Sequence, residues 1–68
     1  MIGEGMKVRF VPHYNKSGTL IPQELRAFVV TGTVVYINWK HKYFTVEYKG
    51  QRESFKFDQV GKDVRVIG

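Results

Sequence analysis

Cysteine is absent from the 68 residues, which excludes a disulfide scaffold, a thiolate zinc site and a cysteine nucleophile together. No apolar run approaches the roughly 20 residues that cross a bilayer, and residues 1–5 lack the basic-then-apolar pattern of a signal peptide. Histidine occurs only as His13 and His41, and neither lies near a Ser or Asp at a spacing that suggests a nucleophile and its base. Carboxylates are scattered one to a segment, so no paired acid and base and no metal set stands out. A glycine-rich phosphate loop is also missing, because Asn15-Lys16-Ser17-Gly18-Thr19 has turn residues without the strand-loop-helix context. These absences lead us to expect a cytoplasmic, non-catalytic chain with no metal, no cofactor and no membrane contact.

What is present points to a folded domain. Hydrophobic residues make up 43% of the chain and charged ones 25%, too apolar a balance for a disordered tail. A chain this short buries only about 60% of the surface it exposes unfolded, so one domain with a thin core is expected. Residues 1–5 read as a flexible N-terminus and residues 6–68 as that domain.

The charge is basic and uneven. Eleven Lys and Arg outnumber six Asp and Glu, giving +5 and a pI near 9.8. Residues 32–56 hold Lys40, Lys42, Lys49, Arg52 and Lys56 against Glu47 and Glu53 alone. In residues 57–68, Lys62 and Arg65 are balanced by Asp58 and Asp63. A basic surface of this kind attracts anions, and nucleic acid is the commonest large one in a cytoplasm.

Strand periodicity dominates. Residues 6–11 alternate, with Met6, Val8 and Phe10 on one face and Lys7 and Arg9 on the other, until Pro12 ends the run. Residues 13–26 show no sustained pattern and read as a long loop with one helical turn opened by Pro22. Residues 27–37 form the longest β-rich stretch, and Gly32 in its middle predicts a bulge or sharp bend there. Residues 43–49 put Phe44, Val46 and Tyr48 on one face. Lys49-Gly50-Gln51 is a tight turn, and residues 52–57 point Phe55 and Phe57 inward. Asp58-Gln59-Val60-Gly61 reads as a 3₁₀ turn, and Val64 and Val66 close the core from a last short strand.

That order resembles an SH3-like small β-barrel: an all-β, five-stranded barrel with a long first loop and a 3₁₀ turn before the last strand. Gly5-Met6-Lys7-Val8, Gly32-Thr33-Val34 and Phe57-Asp58-Gln59-Val60-Gly61 carry the resemblance, standing where the family has its first strand, its shared second strand and its one-turn 3₁₀ helix. The likeness is one of architecture, without a diagnostic motif. A weaker similarity links Gly32-Thr33-Val34-Val35-Tyr36-Ile37-Asn38 to cold-shock and OB-type barrels, but the glycine-punctuated aromatic strand of that family does not follow. A small stand-alone basic barrel also resembles products of phages and mobile elements.

The densest binding composition is Trp39-Lys40-His41-Lys42-Tyr43, which a hairpin tip can project into solvent. Exposed aromatic faces stack on bases while ammonium groups hold phosphates. The alternative is that Trp39 folds back as a lid over the end of the barrel. If Phe44, Val46, Phe55 and Phe57 are core, the outer face carries Tyr43, Thr45, Arg52, Ser54 and Lys56, with Val35 and Ile37 beside them. The candidate nucleic-acid-binding residues are therefore Trp39, Lys40, His41, Lys42, Tyr43, Arg52 and Lys56, extended by Lys7 and Arg9 if the first strand borders that face. Glu47 or Glu53 could pair with Lys49 or Arg52 and lower the charge. The alternative partner is an acidic protein or peptide surface, although the acidic long loop of peptide-binding SH3 domains is missing here: Glu24 stands alone against Lys16 and Arg26. The chain reads as a monomer or a weak homodimer, with Val35 and Ile37 as a natural contact.

Overall fold

In the computed structural model, which describes residues 2–68, the chain is all-β, with five antiparallel strands and no α-helix among those residues. The strands are β1 (Lys7–Phe10), β2 (Val30–Asn38), β3 (Tyr43–Tyr48), β4 (Gln51–Lys56) and β5 (Val64–Val66). Their order in the sheet is β4-β3-β2-β1-β5. β4 and β5 are thus the two edges, and among the described residues no ladder joins them.

Alternation decides which side of each strand is buried. Val8 and Phe10 of β1, Val34 and Ile37 of β2, Phe44 and Val46 of β3, Phe55 of β4 and Val64 of β5 form one cluster to which every strand contributes. Phe10 stands edge-on to both Tyr48 and Phe55, with ring centroids 5.2 Å away in each case, an arrangement the ring quadrupoles favour. Ile2 joins the same cluster, and the Gly5 N–H donates to the Val34 carbonyl at 2.8 Å. Ile2 is therefore packed on the body, while Glu4 and Gly5 are exposed.

β2 differs from its expected form in two ways. It begins at Val30, because its partner β1 ends at Phe10, which pairs with Val30, and Pro12 offers no donor beyond. Residues 27–29 are left outside the strand. The irregularity predicted at Gly32 falls instead at Val35: Val34 pairs with Val46, but Tyr36 pairs with Thr45, so Val35 is the extra residue of a bulge. Gly32 has a different reason to be glycine. A Cβ there would overlap a Val46 methyl and stand 2.9 Å from the Glu47 carbonyl oxygen and 3.1 Å from Phe10 Cε1. The bulge reverses the phase of the strand, so Ile37 enters the core and Tyr36 turns to solvent. The expected outward pairing of Val35 with Ile37, and the self-association contact built on it, is corrected accordingly.

The connections follow local chemistry. Lys49 (φ 47°) and Gly50 (φ 77°) make the two-residue hairpin between β3 and β4, whose positive φ values match the twist of the strands. Residues 39–42 join β2 to β3: the His41 N–H donates to Asn38 Oδ1 at 2.8 Å, and Lys42 takes φ 58°. In the long loop, Asn15 Oδ1 accepts from the Ser17 and Thr19 amides at 3.1 and 2.9 Å, which folds the loop back so that Tyr14 bridges Leu20. A 3₁₀ turn follows at Gln23–Leu25, with Pro22 just before it rather than as its first residue. The second 3₁₀ turn is Phe57–Gln59, so Phe57 opens the turn instead of ending the strand. Gln59 holds that turn by accepting from the Lys56 amide at 2.7 Å and donating to Asp63 Oδ2 at 3.0 Å.

Candidate nucleic-acid interface

Directly opposed residues of an antiparallel sheet share a face. On the solvent side, rows of such residues cross β2, β3 and β4: Asn38, Tyr43 and Lys56 in one, Tyr36, Thr45 and Ser54 in the next. A further row holds Thr33, Glu47 and Arg52 and continues onto β1 at Lys7.

Two tyrosines occupy the middle of this face. Tyr36 is 45% exposed, and its ring lies 6.0 Å from that of Tyr43, tilted by 55°. Asn38 Nδ2 donates to the Tyr36 hydroxyl at 3.3 Å, and the Thr45 and Ser54 hydroxyls bond to each other at 2.8 Å. Lys56 is the direct cross-strand neighbour of Tyr43. Beside them, His41, Lys42, Lys56, Phe57 and Asp58 line an open groove of about 290 Å³, into which the turn and the end of β4 bring their cations. The Phe57 N–H donates to the Lys42 carbonyl at 3.0 Å, fixing the turn against β4.

The remaining sequence candidates are placed differently. Trp39 is 58% exposed but leans edge-on against Phe57, with centroids 5.5 Å apart, and lines an apolar hollow with Ile2 and Val60. It is thus both exposed and folded back, and it does not share a ring partner with Tyr43. Lys40 is exposed in the turn. Arg52 Nε donates to Glu47 Oε2 at 3.1 Å; both side chains are well exposed, so the pair contributes at most about 1 kcal/mol but lowers the charge of its row. Lys7 Nζ donates to Thr33 Oγ1 at 2.6 Å. Arg9 lies at the far end of the sheet, opposite Thr31 on one side and Arg65 on the other.

Two features of the face escaped the sequence reading. Tyr36 turns outward only because of the bulge at Val35, and alternation alone gives the opposite phase. Glu53, a candidate partner for Lys49 or Arg52 by sequence, is instead the one buried charged residue among those described. Its carboxylate accepts from the His13 backbone N–H at 2.9 Å and from His13 Nδ1–H of the ring. This contact ties the start of the long loop to the inner side of β4. Tyr48 lies close by, and its phenol is pushed above its ordinary range, first by burial and then by the negative charge of Glu53.

In comparisons with known proteins, the chain matches no family model, no curated protein and no solved structure.

Proposed function

We propose that the protein is a non-catalytic, cytoplasmic nucleic-acid-binding module that uses the solvent face of β2, β3 and β4 together with the 39–42 turn. The observation that carries this reading is the Tyr36–Tyr43 pair, open to solvent and flanked by Lys42 and Lys56. Each base stacked on an aromatic ring is worth about 1–3 kcal/mol, and the ammonium groups beside the rings match the phosphates that accompany the bases. Asn38, Thr45 and Ser54 supply hydrogen-bonding groups between the rings and the cations. The fold reading that goes with this function is a small SH3-like barrel. Phe55 of one edge strand and Val64 of the other share one core, and the second 3₁₀ turn lies in the segment that connects those two strands, which supports that reading.

With Arg52 engaged by Glu47 and Lys7 bonded to Thr33 at the β1 end of the face, the phosphate contacts are assigned to Lys40, Lys42 and Lys56. Three phosphate contacts give a slope of log K against log salt of about −2.7 for a duplex and about −2.1 for a single strand. The test is anisotropy of labelled single-stranded DNA, duplex DNA and RNA at several salt concentrations, with Tyr36→Ala and Tyr43→Ala as variants. Each variant is expected to lose roughly 5- to 150-fold in affinity, the equivalent of one stacked base. A flat response to all three nucleic acids at low salt refutes the proposal.

One observation favours the second reading, an acidic protein partner. Phe28 (77% exposed), Leu25 and Val29 leave apolar surface on the stretch before β2, close to Arg26. Surface of this kind marks contact sites. Binding that survives Tyr36→Ala but is lost on Phe28→Ser assigns the function to that side.

A further inference from the structure

The far end of the sheet holds a second cationic feature, separate from the tyrosine face. Arg9 of β1 and Arg65 of β5 are directly opposed across the ladder, and both are exposed. Like charges in that position destabilise a sheet, so an unneutralised pair costs stability unless something anionic bridges it. No carboxylate does. Among the described residues the ion pairs are His13 with Glu53 and Arg52 with Glu47. Asp63, two residues before Arg65, accepts from the Gln59 side-chain amide at 3.0 Å and forms no ion pair with either arginine. Arg9, Arg65 and Lys62 line an open groove of about 360 Å³ with Phe10, Val11, Val29 and one carboxylate, Asp63, so the three cations outweigh the single acid there. Two guanidiniums side by side offer paired N–H donors matched to the oxygens of a tetrahedral oxyanion.

We propose that Arg9, Arg65 and Lys62 form a phosphate-binding groove, in which the two guanidiniums grip one phosphate group and the Lys62 ammonium adds a third donor. The phosphate group reaches this groove either as a terminal monoester of a nucleic acid or as part of a small phosphorylated molecule. The groove does not depend on the nucleic-acid reading of the tyrosine face, because its ligand chemistry is satisfied by phosphate alone.

The first measurement is thermal unfolding in inorganic phosphate against chloride at matched ionic strength. Phosphate is expected to raise the Tm of the wild-type protein and to leave Arg65→Gln unmoved. Without phosphate, Arg65→Gln should itself melt about 1–4 °C higher, because the like-charge opposition is gone. Titration with a nucleoside monophosphate should be weakened about tenfold or more by Arg9→Gln or Arg65→Gln, the loss expected for a charge-assisted bond. The same oligonucleotide with and without a 5′-phosphate separates the sources. A gain from the 5′-phosphate that Arg65→Gln abolishes assigns a nucleic-acid end, and a response to the monophosphate alone assigns a small molecule. Equal Tm values in phosphate and chloride, with no Arg65-dependent response to either phosphorylated probe, overturn the proposal. Tyr36→Ala must leave the phosphate effect intact, so failure here and failure of the tyrosine face give different results.

Discussion

Replacing Glu53 with Ala removes the only buried charge among the described residues, and with it the link between the long loop and the sheet. Two hydrogen bonds are lost, each to a charged acceptor, and bonds of that class are worth about 1.5–3 kcal/mol. The His13 side chain is 30% exposed, so water replaces part of the ring contact and its share falls toward the low end. A loss of roughly 2–4 kcal/mol is expected. A 68-residue domain has a total stability of only about 3–10 kcal/mol, so this change consumes a large fraction of it. Urea unfolding followed by circular dichroism measures the difference, and amide exchange at His13 localises it. The His13 amide should exchange far faster in the variant, and the resonances of residues 14–20 should lose their dispersion. Glu53→Gln, which keeps one acceptor, should fall between the wild-type protein and Glu53→Ala. If Glu53→Ala unfolds within about 0.5 kcal/mol of the wild type, the contact does not anchor the loop and the reasoning fails.

Other changes test separate parts of the structure. Gly32→Ala forces a methyl group against Val46, the Glu47 carbonyl and Phe10, and should cost at least about 1–3 kcal/mol in the same urea assay. Lys42→Asn should keep or raise stability, since Asn tolerates the left-handed backbone at φ 58° better, while weakening nucleic-acid binding by removing a cation; anisotropy and melting together check both signs. Tyr48 has a raised phenol pKa, so its contribution is fully present below about pH 10 and is lost at higher pH, where the unfolded chain ionises first. Tyr48→Phe keeps the ring against Phe10 and should flatten the alkaline fall in stability seen in a pH series of melts.

The all-β class, the strand faces of β1, β3 and β5 and the Lys49-Gly50 turn were legible from the amino acids alone, and so was a 3₁₀ turn before β5, expected one residue later than its observed start at Phe57. Those features rest on local rules: alternation of apolar residues, and the few residue types that accept positive φ or break a ladder. Val8, Phe10, Phe44, Val46, Phe55 and Val64 were legible as core for that reason. The candidate site was legible in composition, since Lys42, Tyr43 and Lys56 do come together, but not in arrangement. Tertiary structure decided the rest. The bulge at Val35 exchanges the faces of Tyr36 and Ile37, and its position is set by how β3 registers on β2 rather than by any residue in the bulge. Trp39 turned toward Phe57 because the 3₁₀ turn delivers an apolar ring beneath it. His13 and Glu53 lie 40 residues apart, and so do not form any local pattern. Arg9 and Arg65 became neighbours only when the first and last strands paired, since a β-ladder joins residues by register and not by distance along the chain.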